Sequence, residues 1–123
     1  MKQPNEKLTH NNWIVHLCRS EDWRAALDKG CYQADSLAEV GFIHCSRPEQ
    51  VVGVANRYYQ GRTDLLLLWI DPNQLQAELR WEAADNDTFP HLYGALNLEA
   101  VRAVEGFPLD SDGYFHIQPE PPL

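Results

Sequence analysis

The alternation of apolar and polar residues near the start of the chain predicts a strand followed by a helix. The strand is Trp13–Cys18, whose side chains alternate between two faces, with His16 on one of them. Ser20 is a favourable N-cap for the helix because its hydroxyl can accept a hydrogen bond from a free backbone N–H of the first turn. Lys29 and Gly30 have the composition of a helix C-terminus, so the helix is expected to end there.

A second strand-to-helix unit follows with the same organisation. Gly41–Ser46 is expected to be a strand that places Phe42, His44 and Ser46 on one face. Ser46–Glu49 has the S-R-P-E pattern of a capping box with proline in the first turn, which predicts that Ser46 caps the next helix. In both units, a histidine therefore lies a few residues before a helix N-terminus, where free N–H groups favour anions.

The second half of the chain is predicted to be rich in strands. Leu65–Ile70 is a continuous apolar run, which is typical of a strand covered on both faces. Leu79–Ala83 alternates and is expected to be a strand, Phe89–Gly94 is expected to be an irregular loop, and Leu98–Val104 is expected to be a strand. Strand–helix alternation followed by strands indicates an α+β fold with a bent, mostly antiparallel sheet.

The length of 123 residues is that of one domain. We expect a flexible N-terminal tail over 1–12, a single α+β domain over 13–118 and a proline-rich C-terminal tail over 119–123. The first twelve residues lack the apolar segment of a signal peptide, and the longest apolar run is too short to span a bilayer. These features predict a cytoplasmic protein without a membrane partner.

The charge balance narrows the class of ligand. The chain has 18 acidic and 10 basic residues, a formal net charge of −8. Binding of extended nucleic acid needs clustered Lys and Arg, so it is not expected here. A small anionic ligand remains compatible, because the local potential can differ in sign from the total. The three cysteines form no CxxC pair and are expected to be reduced apolar residues.

Two strand histidines are the first candidate functional residues. His16 and His44 occupy positions where an apolar residue would be expected, and a buried imidazole must find partners for its ring nitrogens. Each is either a structural histidine with internal partners or a ligand-binding group beside a helix N-terminus. Ser46, on the same face as His44, is either the predicted helix cap or a further ligand contact.

The later candidates are His91, Tyr93 and Glu82. His91 and Tyr93 lie between Pro90 and Gly94, so a rigid loop could present them to a ligand, or they could belong to a surface turn. Glu82 shares a strand face with Arg80 and is either a solvated partner of that arginine or an acid that supports a ligand. The three histidines have no HxH or HxxxH spacing, so no metal is expected.

Three short motifs occur in order: IVHL at Ile14–Leu17, GFIHCS at Gly41–Ser46 and PHLYG at Pro90–Gly94. With these motifs the chain resembles the bacterial family catalogued as domain-of-unknown-function 952, over roughly Trp13 to Leu109. The family usually has proline after the glycine of the third motif, where this chain has Ala95. We interpret this difference as a small change in the turn.

The resemblance implies a fold and a ligand, since that family is similar in structure to ADP-ribosyltransferases and RNA 2′-phosphotransferases. It implies a bent, split β-sheet with flanking helices that holds NAD in a cleft. It implies that His16 hydrogen-bonds a ribose, and that His44 and His91 line the same cleft. Tyr93 is then the candidate stacking partner, and Glu82 is the nearest candidate for the catalytic glutamate of the transferases.

Three functions remain open at this stage. The first is a site for NAD or a related nucleotide, with ADP-ribosyl transfer or NAD cleavage as its reaction. The second is a phosphoesterase or RNA 2′-phosphate processing enzyme, suggested by the H-x-S pattern of His44–Ser46. The third is a non-catalytic ligand-binding module. All three require folding to bring the histidines around one cleft.

Overall fold

The computed structural model describes residues 12–122. Eight strands and three α-helices make up the regular structure of this part of the chain, with short 3-10 turns between some of them. In chain order the elements are β1 (Ile14–Arg19), α1 (Ser20–Lys29), β2 (Cys31–Tyr32), α2 (Asp35–Val40), β3 (Ile43–His44), α3 (Val51–Tyr58), β4 (Leu65–Ile70), β5 (Glu78–Ala84), β6 (Asp87–Tyr93), β7 (Leu96–Asn97) and β8 (Val101–Gly106).

The strands form three small antiparallel sheets. Their orders are β1-β4-β8, β2-β7 and β3-β6-β5. A bridge between Val15 and Ser46 connects the first sheet to the third, with backbone hydrogen bonds of 2.8 and 2.9 Å. The predicted α+β class and the antiparallel pairing are confirmed.

Strand β4 separates the two hydrophobic clusters of the core. Leu68 and Ile70 pack into one cluster, whereas Leu65, Leu67 and Trp69 pack into the other. Because successive side chains of a strand point to opposite faces, the uninterrupted apolar run supplies both clusters. The prediction that this segment is a strand covered on both faces is confirmed.

Helix α1 agrees with the sequence prediction except at its first residue. Gly30 ends the helix in the left-handed conformation at φ 96°, where a side chain would be strained. Ser20 is the first helical residue, so its predicted role as N-cap is wrong by one position; Arg19 is the N-cap. The Arg19 guanidinium donates to the Asp22 carboxylate in the first turn at 2.9 Å.

The predicted cap of the second unit is also displaced by one residue. Arg47, not Ser46, is the N-cap of a 3-10 turn over Pro48–Gln50 that precedes α3. Its backbone N–H donates to the side chain of Gln50 at 2.7 Å, whereas Glu49 pairs with the Arg47 guanidinium. The strand predicted over Gly41–Ser46 is regular only at Ile43–His44, because the chain then turns to pair with β1.

Phe89–Gly94 was expected to be an irregular loop, and that prediction is wrong: all of it except Gly94 belongs to β6, the central strand of its sheet. The N and C=O of one strand residue point to the same side, and the Pro90 carbonyl accepts from Cys45 N on the β3 side. The missing Pro90 N–H therefore leaves the ladder to β5 intact. His91 and Tyr93 are consequently presented by a strand.

Two other late elements differ in their limits. The predicted strand Leu98–Val104 begins as a 3-10 turn over Leu98–Ala100, and the strand covers Val101–Gly106. A tight turn follows β5, in which Asp85 and Asn86 have φ of 51° and 64°. The β5–β6 pairing continues up to this turn, whereas the β4–β8 register shifts between Trp69 and Ile70.

The predicted tails lie at the edge of the described structure. Apart from Asn12, the N-terminal tail lies outside the described residues. Of the C-terminal tail, residues 119–122 are described and contain neither helix nor strand. No helix within residues 12–122 is long and apolar enough to cross a membrane.

Candidate functional site

One face of the β3-β6-β5 sheet concentrates the candidate residues. The register places His44 opposite His91 and His91 opposite Arg80. Alternate residues of a strand share a face, so Glu82 and Tyr93 lie on the same side of the sheet as His91. The face thus joins residues that are far apart in the sequence.

Glu82 is the acceptor at the centre of this face. Its Oε1 atom accepts the Tyr93 hydroxyl at 2.7 Å and faces His91 Nδ1 at 2.8 Å. The Tyr93 hydroxyl, followed by the His91 hydrogen bond, lowers the pKa of Glu82. An ionised carboxylate only accepts hydrogen bonds, so the proton between the two residues belongs to His91 Nδ1.

Phe42 and Glu82 hold the His91 side chain. Its ring stacks on Phe42 with a centroid distance of 4.0 Å and an angle of 18° between the planes. The side chain is 7% exposed, and Nδ1 is occupied by Glu82. Every buried side-chain nitrogen and oxygen within residues 12–122 has a hydrogen-bond partner. Nε2 of His91 has no partner among these residues, so this atom is open to solvent.

His44 lies beside His91 on the neighbouring strand. The two imidazole centroids are 5.5 Å apart at 89°, and His44 also meets the edge of Phe42 at 4.9 Å. Burial, and secondarily the nearby His91, lowers the pKa of His44. This residue is neutral in ordinary conditions and can donate with one ring nitrogen while it accepts with the other.

His16 belongs to a different environment. Its Nδ1 lies against the backbone carbonyl of His44, which can only accept, so Nδ1 carries the proton. Nε2 then accepts the hydroxyl of Tyr32 at 2.8 Å. Burial lowers the pKa of His16 to about 4, so both ring nitrogens are satisfied in a neutral ring. His16 supports the backbone of His44 and presents no free nitrogen.

A cavity of about 590 Å³ lies between helix α3 and this face of the sheet. No Lys or Arg lines it among the described residues, and the one carboxylate in its lining is Asp85. Tyr58 donates to Asp85 at 2.7 Å and so connects the helix to the β5–β6 turn at the rim. The lining comprises Phe42, His44, Cys45, Ser46, Val54, Tyr58, Tyr59, Ala83, Ala84, Asp85, Phe89 and His91.

A second hollow of about 310 Å³ adjoins the cavity, since both are lined by His44, Tyr58 and Tyr59. Its lining includes His16, the basic residues Arg19 and Arg62, and the acidic residues Asp22 and Asp35. These arginines pair with Asp22 and Asp64 in the folded chain. Basic groups thus lie beside the aromatic cavity and not inside it.

The remaining candidates have clear positions. Ser46 is buried and lines the cavity, where it makes no side-chain hydrogen bond to residues 12–122. Burial raises the pKa of Cys45 to about 12, so its thiol stays protonated.

Arg80 pairs with Glu78 at 3.1 Å, not with Glu82, and covers the Tyr93 ring at 4.2 Å. No group of three potential metal ligands exists within the described residues.

Sequence analysis missed some residues of the site. Phe42 was placed on the correct face, but its contact with His91 was not foreseen, because the two strands are 40 or more residues apart and only their register aligns the rings. Tyr58 and Tyr59 also line the cavity, and neither was a candidate from the sequence. The available signal was the adjacent pair of tyrosines at the C-terminal end of α3.

The fold and this cavity define a small α+β protein with antiparallel sheets and a carboxylate–histidine pair at an aromatic cavity. The chain belongs to the family described as "Protein of unknown function (DUF952)", whose model matches residues 17–104. It is similar to the crystal structure of protein CC0527 from Caulobacter crescentus, with 34% identity, a TM-score of 0.76 and coverage of 85% of this chain and 93% of that one. The solution NMR structure of CC0527 gives 31% identity, a TM-score of 0.73 and coverage of 84% and 90%. No curated protein matches the chain.

Proposed function

We propose that the cavity binds the nicotinamide end of NAD or of a closely related nucleotide. The observation that carries this proposal is an aromatic cavity of about 590 Å³ with two histidines in its wall and no basic side chain among its described lining residues. The ligand follows from the resemblance to ADP-ribosyltransferase-like proteins, which hold NAD in the cleft of a split sheet. The antiparallel sheets on either side of β1 are compatible with that arrangement.

The chemistry of the cavity suits a flat cation. Oxidised nicotinamide is a pyridinium ring with a positive charge, and aromatic faces attract such a ring by about 0.5–2 kcal/mol. Phe42, Tyr58 and Phe89 supply aromatic surface, and the Asp85 carboxylate supplies the opposite charge at the rim. His44 and His91 offer hydrogen-bonding groups for the carboxamide or the ribose hydroxyls.

We place the diphosphate in the adjoining hollow, which His44 connects to the cavity. Arg19 and Arg62 line this hollow together with the carboxylates of Asp22 and Asp35. Arginine recognises phosphate through two parallel N–H groups, and its pairing with Asp22 or Asp64 leaves further donors available. In this placement His16 acts through the backbone of His44, and Ser46 lies beside the ring. Tyr93, which was expected to stack on the ligand, does not line the cavity and holds Glu82 instead.

The negative charge of Asp85 in the cavity lining makes a phosphoesterase the weaker alternative. A cyclic phosphate carries a negative charge, and a site for it needs a cation or helix N-terminus at the reacting phosphorus. The lining beside His44 and His91 supplies Asp85 instead. The H-x-S serine, Ser46, has a neighbouring histidine on its strand, but the site around it favours a cation.

Titration calorimetry with NAD, NADH and ADP-ribose tests the proposal. We expect NAD to bind more tightly than NADH, because NADH has lost the pyridinium charge, and more tightly than ADP-ribose, which lacks the ring. Phe42→Leu should weaken NAD binding. Trp81→Leu is the matched control, since Trp81 is an exposed aromatic residue that does not line the cavity. Absence of NAD binding at millimolar concentration, or equal loss in the control, would refute the proposal.

A further inference from the structure

Glu82 and His91 have the geometry of a base with its orienting carboxylate. Glu82 Oε1 faces His91 Nδ1 at 2.8 Å, and the Tyr93 hydroxyl holds the same oxygen at 2.7 Å. The Phe42 ring fixes the plane of the imidazole by stacking at 4.0 Å. Hydrogen bonding at Nδ1 places the acceptor lone pair on Nε2, which is the arrangement that proton-accepting histidines use.

The Glu82–His91 pair is placed so that its imidazole can act on a ligand in the cavity. His91 lines the cavity, whereas Glu82 is not among the residues that line it. The carboxylate therefore acts on the cavity through the imidazole and does not face a ligand directly. A neutral Nε2 that is open to solvent can accept a proton from a water molecule beside a bound ligand.

We infer that His91 is the general base, and Glu82 its positioning residue, of a hydrolase that cleaves the N-glycosidic bond between ribose and nicotinamide. This inference depends on the proposed function, because it assigns a reaction to the ligand placed in the same cavity. The acceptor is water, which distinguishes the reaction from transfer of ADP-ribose to a protein or nucleic acid.

The step balances without a further reactant. The oxygen of water forms a bond to ribose C1′ while the C1′–N bond breaks, and the bonding electrons neutralise the pyridinium nitrogen. Nicotinamide leaves as a neutral molecule, so no acid is needed for the leaving group. The proton of the water passes to His91 Nε2 and then to solvent, and Glu82 faces the imidazolium that forms. The products are nicotinamide, ADP-ribose and one proton.

Chromatography of nicotinamide and ADP-ribose formed from NAD tests the reaction. We expect the wild-type protein to form both in equal amounts and to react more slowly in D₂O. His91→Gln should lower kcat by about 10²-fold or more, the usual contribution of a general base. Glu82→Gln should also lower kcat while the Kd for NAD stays unchanged, because Glu82 does not line the cavity.

The control is Glu78→Gln, which removes a carboxylate from the same strand that pairs with Arg80 and not with His91. Its kcat should equal that of the wild type. Nitrogen-15 NMR of the wild-type protein should show that the neutral form of the His91 imidazole carries its proton on Nδ1 and its lone pair on Nε2. This measurement remains decisive if a variant fails to fold.

The outcomes separate this inference from the proposed function. Binding of NAD without formation of nicotinamide overturns the hydrolase and leaves the binding site standing. Full activity in His91→Gln, or the opposite tautomer in the NMR spectrum, also overturns it. Failure of NAD to bind removes the proposed function together with the reaction that depends on it.

Discussion

Acidification is expected to destabilise the protein through His16, at a pH where most carboxylates are still ionised. Burial holds the pKa of His16 at about 4, against an ordinary value of 6.5. The hydrogen bond to the His44 carbonyl raises this pKa, the His44 imidazole lowers it, and the Asp22 carboxylate raises it; Tyr32 donates to Nε2. At pH values between these two pKa values, His16 binds a proton in the unfolded chain but not in the folded chain. The free energy of unfolding therefore falls as the pH is lowered.

The size of the effect follows from the two pKa values. Each unit of difference corresponds to about 1.4 kcal/mol of differential interaction between the protonation states. His16 titrates with a pKa of 6.5 in the unfolded chain and of about 4 in the folded chain. Acidification from about pH 7 to about pH 4.5 therefore lowers the free energy of unfolding by about 2 kcal/mol. That loss is a substantial part of the roughly 5–15 kcal/mol that stabilises an ordinary domain.

Urea unfolding across this pH range measures the loss. The free energy of unfolding of the wild type should decline by about 2 kcal/mol more than that of His16→Gln, which cannot titrate there. His116→Gln is the control histidine, because His116 is exposed and Asp112 raises its pKa. Removing it should leave the steep acid dependence in place.

Two results would refute this reasoning. A His16→Gln variant with the same pH dependence as the wild type would show that another group causes the loss. An NMR titration in which His16 takes up its proton near 6.5 in the folded protein would show that its burial does not disfavour the charge.

Three further predictions concern the folded framework. Gly94→Ala should destabilise the protein by about 1–3 kcal/mol in thermal unfolding, since the added Cβ would lie 2.7 Å from the Ala77 Cβ; an unchanged Tm would contradict this contact. Asn86→Val should cost about 1–2 kcal/mol relative to Asn86→Gly, because the residue has φ 64°; equal urea midpoints would contradict it. Asn56→Ala should cost about 1–3 kcal/mol and speed hydrogen exchange at the Phe115 amide, since the Asn56 side chain donates to Phe115 O and accepts from Phe115 N, both at 2.8 Å; an unchanged exchange rate would show that this pair does not hold the C-terminal segment.

The parts of the fold that sequence predicted depend on local patterns. The apolar run of β4 and the left-handed Gly30 follow from residues within one element. The face shared by Phe42 and His44 follows from strand alternation alone. In each case the physical cause lies within a few residues, so no knowledge of the partner strand was needed.

Strand β6 could not be predicted in this way. Proline and glycine close together in Phe89–Gly94 favour a turn locally, and a central strand normally excludes proline. Pro90 is tolerated because its nitrogen points towards the segment that follows β3. This segment turns away from β6 to pair with β1 through Ser46, so no hydrogen bond from the Pro90 nitrogen is needed. Only the topology of the sheets reveals that this N–H is not required.

The role of a buried histidine depends on the chemical nature of its partners. His16 and His91 are equally buried at 6% exposure, and each shares a strand position with apolar neighbours. A carbonyl and a hydroxyl occupy both nitrogens of His16, and burial opposes its charge. His91 has one nitrogen on a carboxylate, which stabilises an imidazolium formed during a reaction, and leaves the other open. Strand register assigns these partners, because a shift of one residue in β5 would turn Glu82 away from His91. A variant that disturbs the β5–β6 register should therefore abolish the proposed hydrolysis of NAD, measured as release of nicotinamide, before it abolishes folding.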